Sequence, residues 1–138
     1  MAQVPVEEGL FTDGADGPRL RAARCGGCEE LHFPAGDTCP FCGGQACRPE
    51  EIGAHGTLHV GTIVRNPPPG YAGPVPYGFG LVDTSEGLRV VSALEITEES
   101  ELTPGRALRL VLRNVGCDED GNDRMAWSYS PETPGTAP

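Results

Sequence analysis

From residue 54 onward apolar side chains recur at every second position, the period of a half-buried strand, and five such stretches can be marked. The first covers 54–65, with Leu58, Val60 and Val64 as its expected inward set. The second covers 77–83 and puts Tyr77, Phe79 and Leu81 on one face, with Gly78 and Gly80 opposite, where a missing Cβ permits a bulge or a close backbone approach. Leu88, Val90, Leu94 and Ile96 mark the third, reached through the tight turn Thr84-Ser85-Glu86-Gly87. Leu108, Leu110 and Leu112 mark the fourth, and Met125, Trp127 and Tyr129 the fifth, with the acidic stretch 118–123 as the hairpin loop between them. Five antiparallel strands with no long helix suit a small closed barrel of the OB type, because closure removes free sheet edges. Between the third and fourth strands, Thr97 is expected to cap one helical turn, with Glu98 and Glu99 favourable at its N-terminus and Pro104-Gly105 ending it.

Before residue 54 this pattern is absent. Residues 1–18 are rich in Gly, Asp and Pro, and Leu10 and Phe11, their strongly apolar pair, are expected to dock on the parent domain, with partner binding the alternative. Pro18 to Arg24 reads as a short strand. The next stretch is organised by Cys25-Gly-Gly-Cys28 and Cys39-Pro-Phe-Cys42, two pairs separated by ten residues. Thiolates three positions apart on a tight turn can grip one ion, and two such turns supply the four sulfurs of a tetrahedral site. Zinc is the expected occupant of Cys25, Cys28, Cys39 and Cys42. The other readings are iron, which would give the loaded protein a visible absorption band, and two disulfides, each closing a small strained ring. Four protein sulfurs leave no open coordination position, so the ion is expected to hold structure and not to activate water. His32 is then expected at the surface or behind the ligands, and Cys47 and Cys117 as structural thiols. The x4 spacing of Cys47 from Cys42 suits a ligand poorly.

At 138 residues the chain is one domain or two very small ones, and 20 glycines with 14 prolines favour strands and turns. No apolar run is long enough to span a membrane, and the first ten residues are acidic, unlike a signal peptide, so a soluble cytoplasmic protein is expected. The net charge is −10 and all ten basic residues are arginine. Such a surface repels a polyanion, which disfavours nucleic acid unless the arginines converge. Arg19, Arg21, Arg24 and Arg48 are either a solvated strand edge or a grip on a carboxylate or phosphate. Residues 66–76 carry five prolines and read as a stiff, extended loop projecting Tyr71 and Val75, for contact or as a cover over one end of the barrel. His55 and His59 are expected to face outward or toward the cysteine-bearing region. The tail from Ser130 is expected to be loose or to order only on a partner. There is no nucleophile elbow and no glycine-rich phosphate loop.

Taken in order, the two cysteine pairs, Phe33-Pro34 between them, the strand start Gly53 to Leu58, the proline-rich loop ending in Pro76-Tyr77 and the turn at Glu86-Gly87 form a combination that resembles a known family. It is similar to the acyl-CoA-associated zinc-ribbon and OB-fold proteins, across residues 9 to 130. The resemblance implies an all-β chain: an N-terminal rubredoxin-like zinc ribbon followed by a five-stranded OB-fold barrel. The expected divisions are an arm at 1–18, the ribbon at 19–48, the barrel at 49–130 and a tail at 131–138. It also implies an accessory subunit, not catalytic alone, that assembles with a thiolase-fold enzyme making or breaking carbon–carbon bonds in acyl-CoA thioesters. A retro-aldolase that shortens steroid side chains is the expected partner, and an acetoacetyl-CoA or aromatic-succinyl-CoA thiolase the alternative.

On this reading Pro68, Tyr71, Val75 and Arg65 are the candidate contacts with the partner or with its CoA thioester. A free-standing OB module for single-stranded nucleic acid is a separate hypothesis; it needs a basic groove interleaved with aromatics, and the chain is acidic and 6% aromatic. Direct carriage of CoA, with Arg65 or the Arg19, Arg21 and Arg24 group on its phosphates, is a third.

Overall fold

The computed structural model describes residues 3–5, 9–69 and 74–132. Ten strands and one 3₁₀ turn make up its regular structure, in two sheets. The N-terminal sheet joins β2 (Phe11–Gly14), β3 (Gly17–Cys25), β4 (Leu31–His32) and β5 (Cys47–Ile52), all antiparallel to β3. The second sheet holds β6 (His55–Val64), β7 (Tyr77–Thr84), β8 (Arg89–Leu94), β9 (Ala107–Cys117) and β10 (Asp123–Pro131). These five close on themselves: β6 pairs both β7 and β9, and β10 pairs both β8 and β9. β10 runs parallel to β8, so one seam of the closed five-stranded OB barrel is parallel where an all-antiparallel sheet was expected. β1 (Gln3–Pro5) adds alongside the first residues of β10, also in parallel.

One expected inward set breaks at a bulge, and another lies on the opposite face from the one expected. Leu58 faces Val82 and Val60 faces Leu81, so His59 is an extra residue in β6. Because side chains alternate with period two, one inserted residue moves everything after it to the opposite face. Leu58 is therefore in the core while Val60 is 52% exposed, and Ile63 packs inward in its place. On β7 the core side is Gly78, Gly80, Val82 and Thr84, and Phe79 turns outward at 41% exposure. Gly80 is fixed inward by space, since a Cβ there would lie 2.2 Å from the Val60 carbonyl oxygen. The third strand matches expectation, with Val90, Leu94 and Ile96 buried. Leu108, Leu110 and Tyr129 are buried as well, whereas Leu112, Met125 and Trp127 are only partly so.

The turn after β8 is Glu99–Glu101, with Glu98 and not Thr97 at its N-cap and no side-chain cap bond. Residues 130–132 stay in the sheet, since Pro131 pairs with Leu108 and the Glu132 N–H donates to the Ala107 carbonyl, where the start of a loose tail was expected; the rest of that tail, 133–138, lies outside the described residues.

The core is continuous through both sheets. Leu20, Ala22, Leu31 and Ile52 from the first sheet pack in one cluster with Leu58, Val82, Leu94, Leu108 and Tyr129 of the barrel. Phe11 and Phe33 meet Trp127 edge to face, at centroid separations of 6.4 and 5.6 Å. The Leu10-Phe11 pair thus docks on its own domain. At the junction Gly53 has φ +84°, its N–H donates to Glu86 at 3.0 Å, and the Tyr129 hydroxyl donates to its carbonyl at 2.7 Å.

Candidate metal centre and outer surfaces

The end of β3, the turn from β3 to β4 and the loop from β4 to β5 bring Cys25, Cys28, Cys39 and Cys42 together, with all four Sγ atoms within 4.8 Å of one another. Cys25 and Cys42 are 3.6 Å apart, as are Cys28 and Cys39. Sulfurs about 2.3 Å from a central ion in a tetrahedron stand about 3.8 Å apart, so the spacing fits a single four-coordinate metal. Backbone donors are aimed at the sulfurs: Gly27 and Cys28 N–H at Cys25, Glu30 N–H at Cys28, Phe41 N–H at Cys39 and Gly44 N–H at Cys42. Such donors favour thiolate over thiol.

The consequences for charge are opposed within the cluster. The backbone N–H groups of Cys28 and Gly27 hold the Cys25 thiol down at about 6. At Cys28 the Glu30 backbone lowers the pKa, but burial and the sulfurs of Cys39, Cys42 and Cys25 prevail and push it up to about 12. Four thiolates side by side repel one another, and a divalent ion at their centre removes that conflict. The donor set and spacing therefore position these cysteines to bind a metal.

Cys47 lies across the sheet from Cys25, outside the four-sulfur group. Burial first, and then the charge on Cys25 and Cys39, raises its pKa, which favours a neutral thiol. Cys117 is exposed. His32 is buried, not at the surface, and among the described residues neither ring nitrogen has a hydrogen-bond partner.

The arginines near the cysteines do not form one open cluster. Arg24 grips Glu50 through two bonds, at 2.9 and 3.0 Å, Arg48 reaches Glu29, and Arg19 donates to the Asp16 and Pro18 carbonyls. Arg21 is exposed. Of the candidate contacts in the proline-rich region, Pro68 and Val75 are exposed and Arg65 is paired with Glu99; Tyr71 lies outside the described residues. His55 and His59 are exposed beside Glu132 and Asp83.

Periodicity missed the surface that stands out most. The outward sides of β6, β7 and β8 present Val60, Phe79 and Val91, the last 51% exposed, with Val60 beside Leu81 and Leu81 beside Val91 in the ladder. This face adjoins a groove of about 600 Å³ lined by Leu10, Phe33, Phe79, Val91, Ala126 and Trp127. At its margin Arg89 and Asp83 neutralise each other at 2.7 Å. Phe41, between the second pair of cysteines, is also exposed. Among the described residues no helix is long and apolar enough to cross a membrane.

Comparison with known proteins gives the same two parts. Residues 12–47 match the model of the ChsH2 rubredoxin-like zinc ribbon domain, and residues 49–113 match that of the ChsH2 C-terminal OB-fold domain. A DUF35 domain-containing scaffold protein of Pyrococcus furiosus is 34% identical, over 77% of this chain and 80% of that protein. The benzoylsuccinyl-CoA thiolase subunit BbsA of Thauera aromatica is 35% identical, over 70% of this chain and 72% of that subunit. A probable enoyl-CoA hydratase alpha subunit of Thermomonospora curvata is 33% identical, and the match spans only 27% of its length. Among solved structures, a chain of an Ltp2-ChsH2(DUF35) aldolase superposes with a TM-score of 0.64 at 26% identity, over 82% of this chain and 84% of that one. The chain belongs to the ChsH2 family of DUF35 proteins, in which a rubredoxin-like zinc ribbon is joined to an OB-fold barrel.

Proposed function

We propose that the chain is a non-catalytic accessory subunit that docks on a thiolase-fold enzyme acting on acyl-CoA thioesters, and that this enzyme is a retro-aldolase cleaving a steroid side chain. In this reading Cys25, Cys28, Cys39 and Cys42 hold one zinc ion, which fixes the ribbon and takes no part in the chemistry. The observation that carries the proposal is the apolar outer face of Val60, Phe79 and Val91 beside its groove. An exposed apolar patch next to a rigid scaffold suits protein contact. The class of partner is supported by the likeness to a chain of an aldolase assembly and to a thiolase subunit. Phe41 on the ribbon and Val75 in the proline-rich loop add anchors at the periphery. Docked there, the chain stabilises the catalytic subunit and shapes the mouth through which the thioester enters, with Arg65 and Pro68 at the rim. The 35% identity to BbsA favours a thiolase as the second reading of the partner.

Co-expression with thiolase-fold subunits of either kind tests this. A stable complex whose retro-aldol cleavage of a steroid side-chain β-hydroxyacyl-CoA is lost without the chain is the expected result. Phe79→Asp with Val91→Asp is expected to abolish co-purification while leaving metal content and secondary structure intact. A catalytic subunit equally soluble and active alone would refute the assembly role, and activity only in thiolysis would move the assignment to the thiolase.

A further inference from the structure

We propose that Cys25 and Cys47 form a reversible cross-strand disulfide when the ribbon meets a peroxide, and that this modification ejects the metal. The inference rests on the reading of the four cysteines as a zinc site. The two residues are direct partners across β3 and β5. The Cys25 N–H goes to the Glu30 carbonyl, and the next pair along is bonded through the Gly26 N–H to the Ala46 carbonyl at 2.8 Å. Cys25 and Cys47 therefore occupy a non-hydrogen-bonded position of the ladder, where Cα atoms stand about 4.5 Å apart and side chains are closest. Disulfides span Cα separations of about 4.4–6.8 Å, so the backbone already meets the requirement.

This pair differs from the other close sulfurs in what holds it. The contacts between Cys25 and Cys42 and between Cys28 and Cys39 each depend on at least one loop cysteine, and a metal is what templates such loops. The Cys25–Cys47 contact is set by a six-residue ladder from Leu20↔Ile52 to Cys25↔Cys47, which does not depend on the ion. Access also separates them. Cys25 is fully enclosed, whereas half-buried Cys47 lines a cavity of about 550 Å³ together with Arg21, Ala23, Pro34, Asp37 and Pro49. A peroxide has room to reach the Cys47 sulfur from that side.

The chemistry balances in two steps. The Cys47 thiol first loses its proton, and the minor thiolate form attacks hydrogen peroxide; the S–O bond forms as the O–O bond breaks, giving the sulfenic acid and a hydroxide that takes up the released proton as water. The Cys25 thiolate then attacks the Cys47 sulfur, forming the S–S bond and expelling hydroxide. Cys25 can no longer donate to the metal, which is left with three protein sulfurs and dissociates. A dithiol reductant returns two thiols and restores the site.

The test uses the full chain, loaded with zinc and with one equivalent of metal verified beforehand; failure to bind zinc would refute the metal reading itself. Peroxide is then added with a chromophoric zinc chelator present, and products are mapped by fragment-ion mass spectrometry. A dominant Cys25–Cys47 crosslink, appearing together with metal release and reversed by dithiothreitol, is the expected result. Cys47→Ser and Cys47→Ala are both expected to bind one zinc normally, to lose the crosslink and to release metal about tenfold more slowly, because a preformed neighbouring thiol has been removed. Crosslinks that omit Cys47, or release from both variants at the unaltered rate, would overturn the proposal. Loss of zinc binding in both variants would also overturn it, because Cys47 would then be a ligand.

Discussion

Tyr129→Phe isolates the contact that welds the ribbon to the barrel. The tyrosine is fully buried on β10, and its hydroxyl donates at 2.7 Å to the Gly53 carbonyl, at the junction between β5 and β6. Removing one oxygen leaves the ring packing in place but orphans a buried carbonyl. A buried hydrogen bond contributes about 1 kcal/mol net, and leaving its partner unsatisfied adds about 1–2 kcal/mol, so the variant should lose about 2–3 kcal/mol. At roughly 3–5 °C per kcal/mol for a chain of this size, melting should fall by about 10 °C. Urea unfolding followed by circular dichroism measures the loss, and hydrogen exchange at Ala54 and neighbouring amides shows whether the junction opens.

The same substitution has a second, pH-dependent signature. Burial, with the Glu86 carboxylate adding to it, raises the Tyr129 pKa above its usual 10. The folded chain thus keeps the phenol neutral where the unfolded chain ionises. The contribution is fully present below pH 10 and is lost as pH rises beyond it. Tyr129→Phe should flatten that part of the alkaline decline. A loss below about 0.5 kcal/mol with an unchanged urea slope, together with an unaltered alkaline profile, would refute the argument that this hydroxyl holds the two parts together.

Metal removal by a strong chelator should strip hydrogen-exchange protection from residues 26–46 before the barrel and the β3–β5 ladder, because the cysteine-bearing loops have little core of their own; unchanged protection after complete removal would refute the structural role of the ion. Gly80→Ala should cost about 3 kcal/mol or more, since the new Cβ would meet the Val60 carbonyl at 2.2 Å, whereas Gly14→Ala, with nothing within 4 Å, should stay within about 0.5 kcal/mol in the same denaturation experiment. Glu86→Ala should destabilise by about 1 kcal/mol through the Gly53 N–H it accepts from, and Glu86→Gln, which keeps an acceptor, by less; equal losses would point to the charge and not to the hydrogen bond.

Sequence alone determined the parts that depend on local chemistry. The two Cys-x-x-Cys turns stand out because the ligands of each half are three residues apart, so both their identity and the four-sulfur donor set are short-range properties. The number and positions of the barrel strands came from period-two patterning, which is again local. Tertiary structure decided which face of β6 and β7 is inside: one inserted residue at His59 reverses the alternation within β6, which only the ladder with β7 reveals, and the close approach of the Val60 carbonyl keeps Gly80 on the inner side of β7. It also decided that Phe79 and Val60 form an outer apolar face, that Arg24 is occupied by Glu50, and that Cys47 lies opposite Cys25. Each of these is a pairing between residues 13 or more positions apart, and sequence periodicity carries no information about register between distant strands.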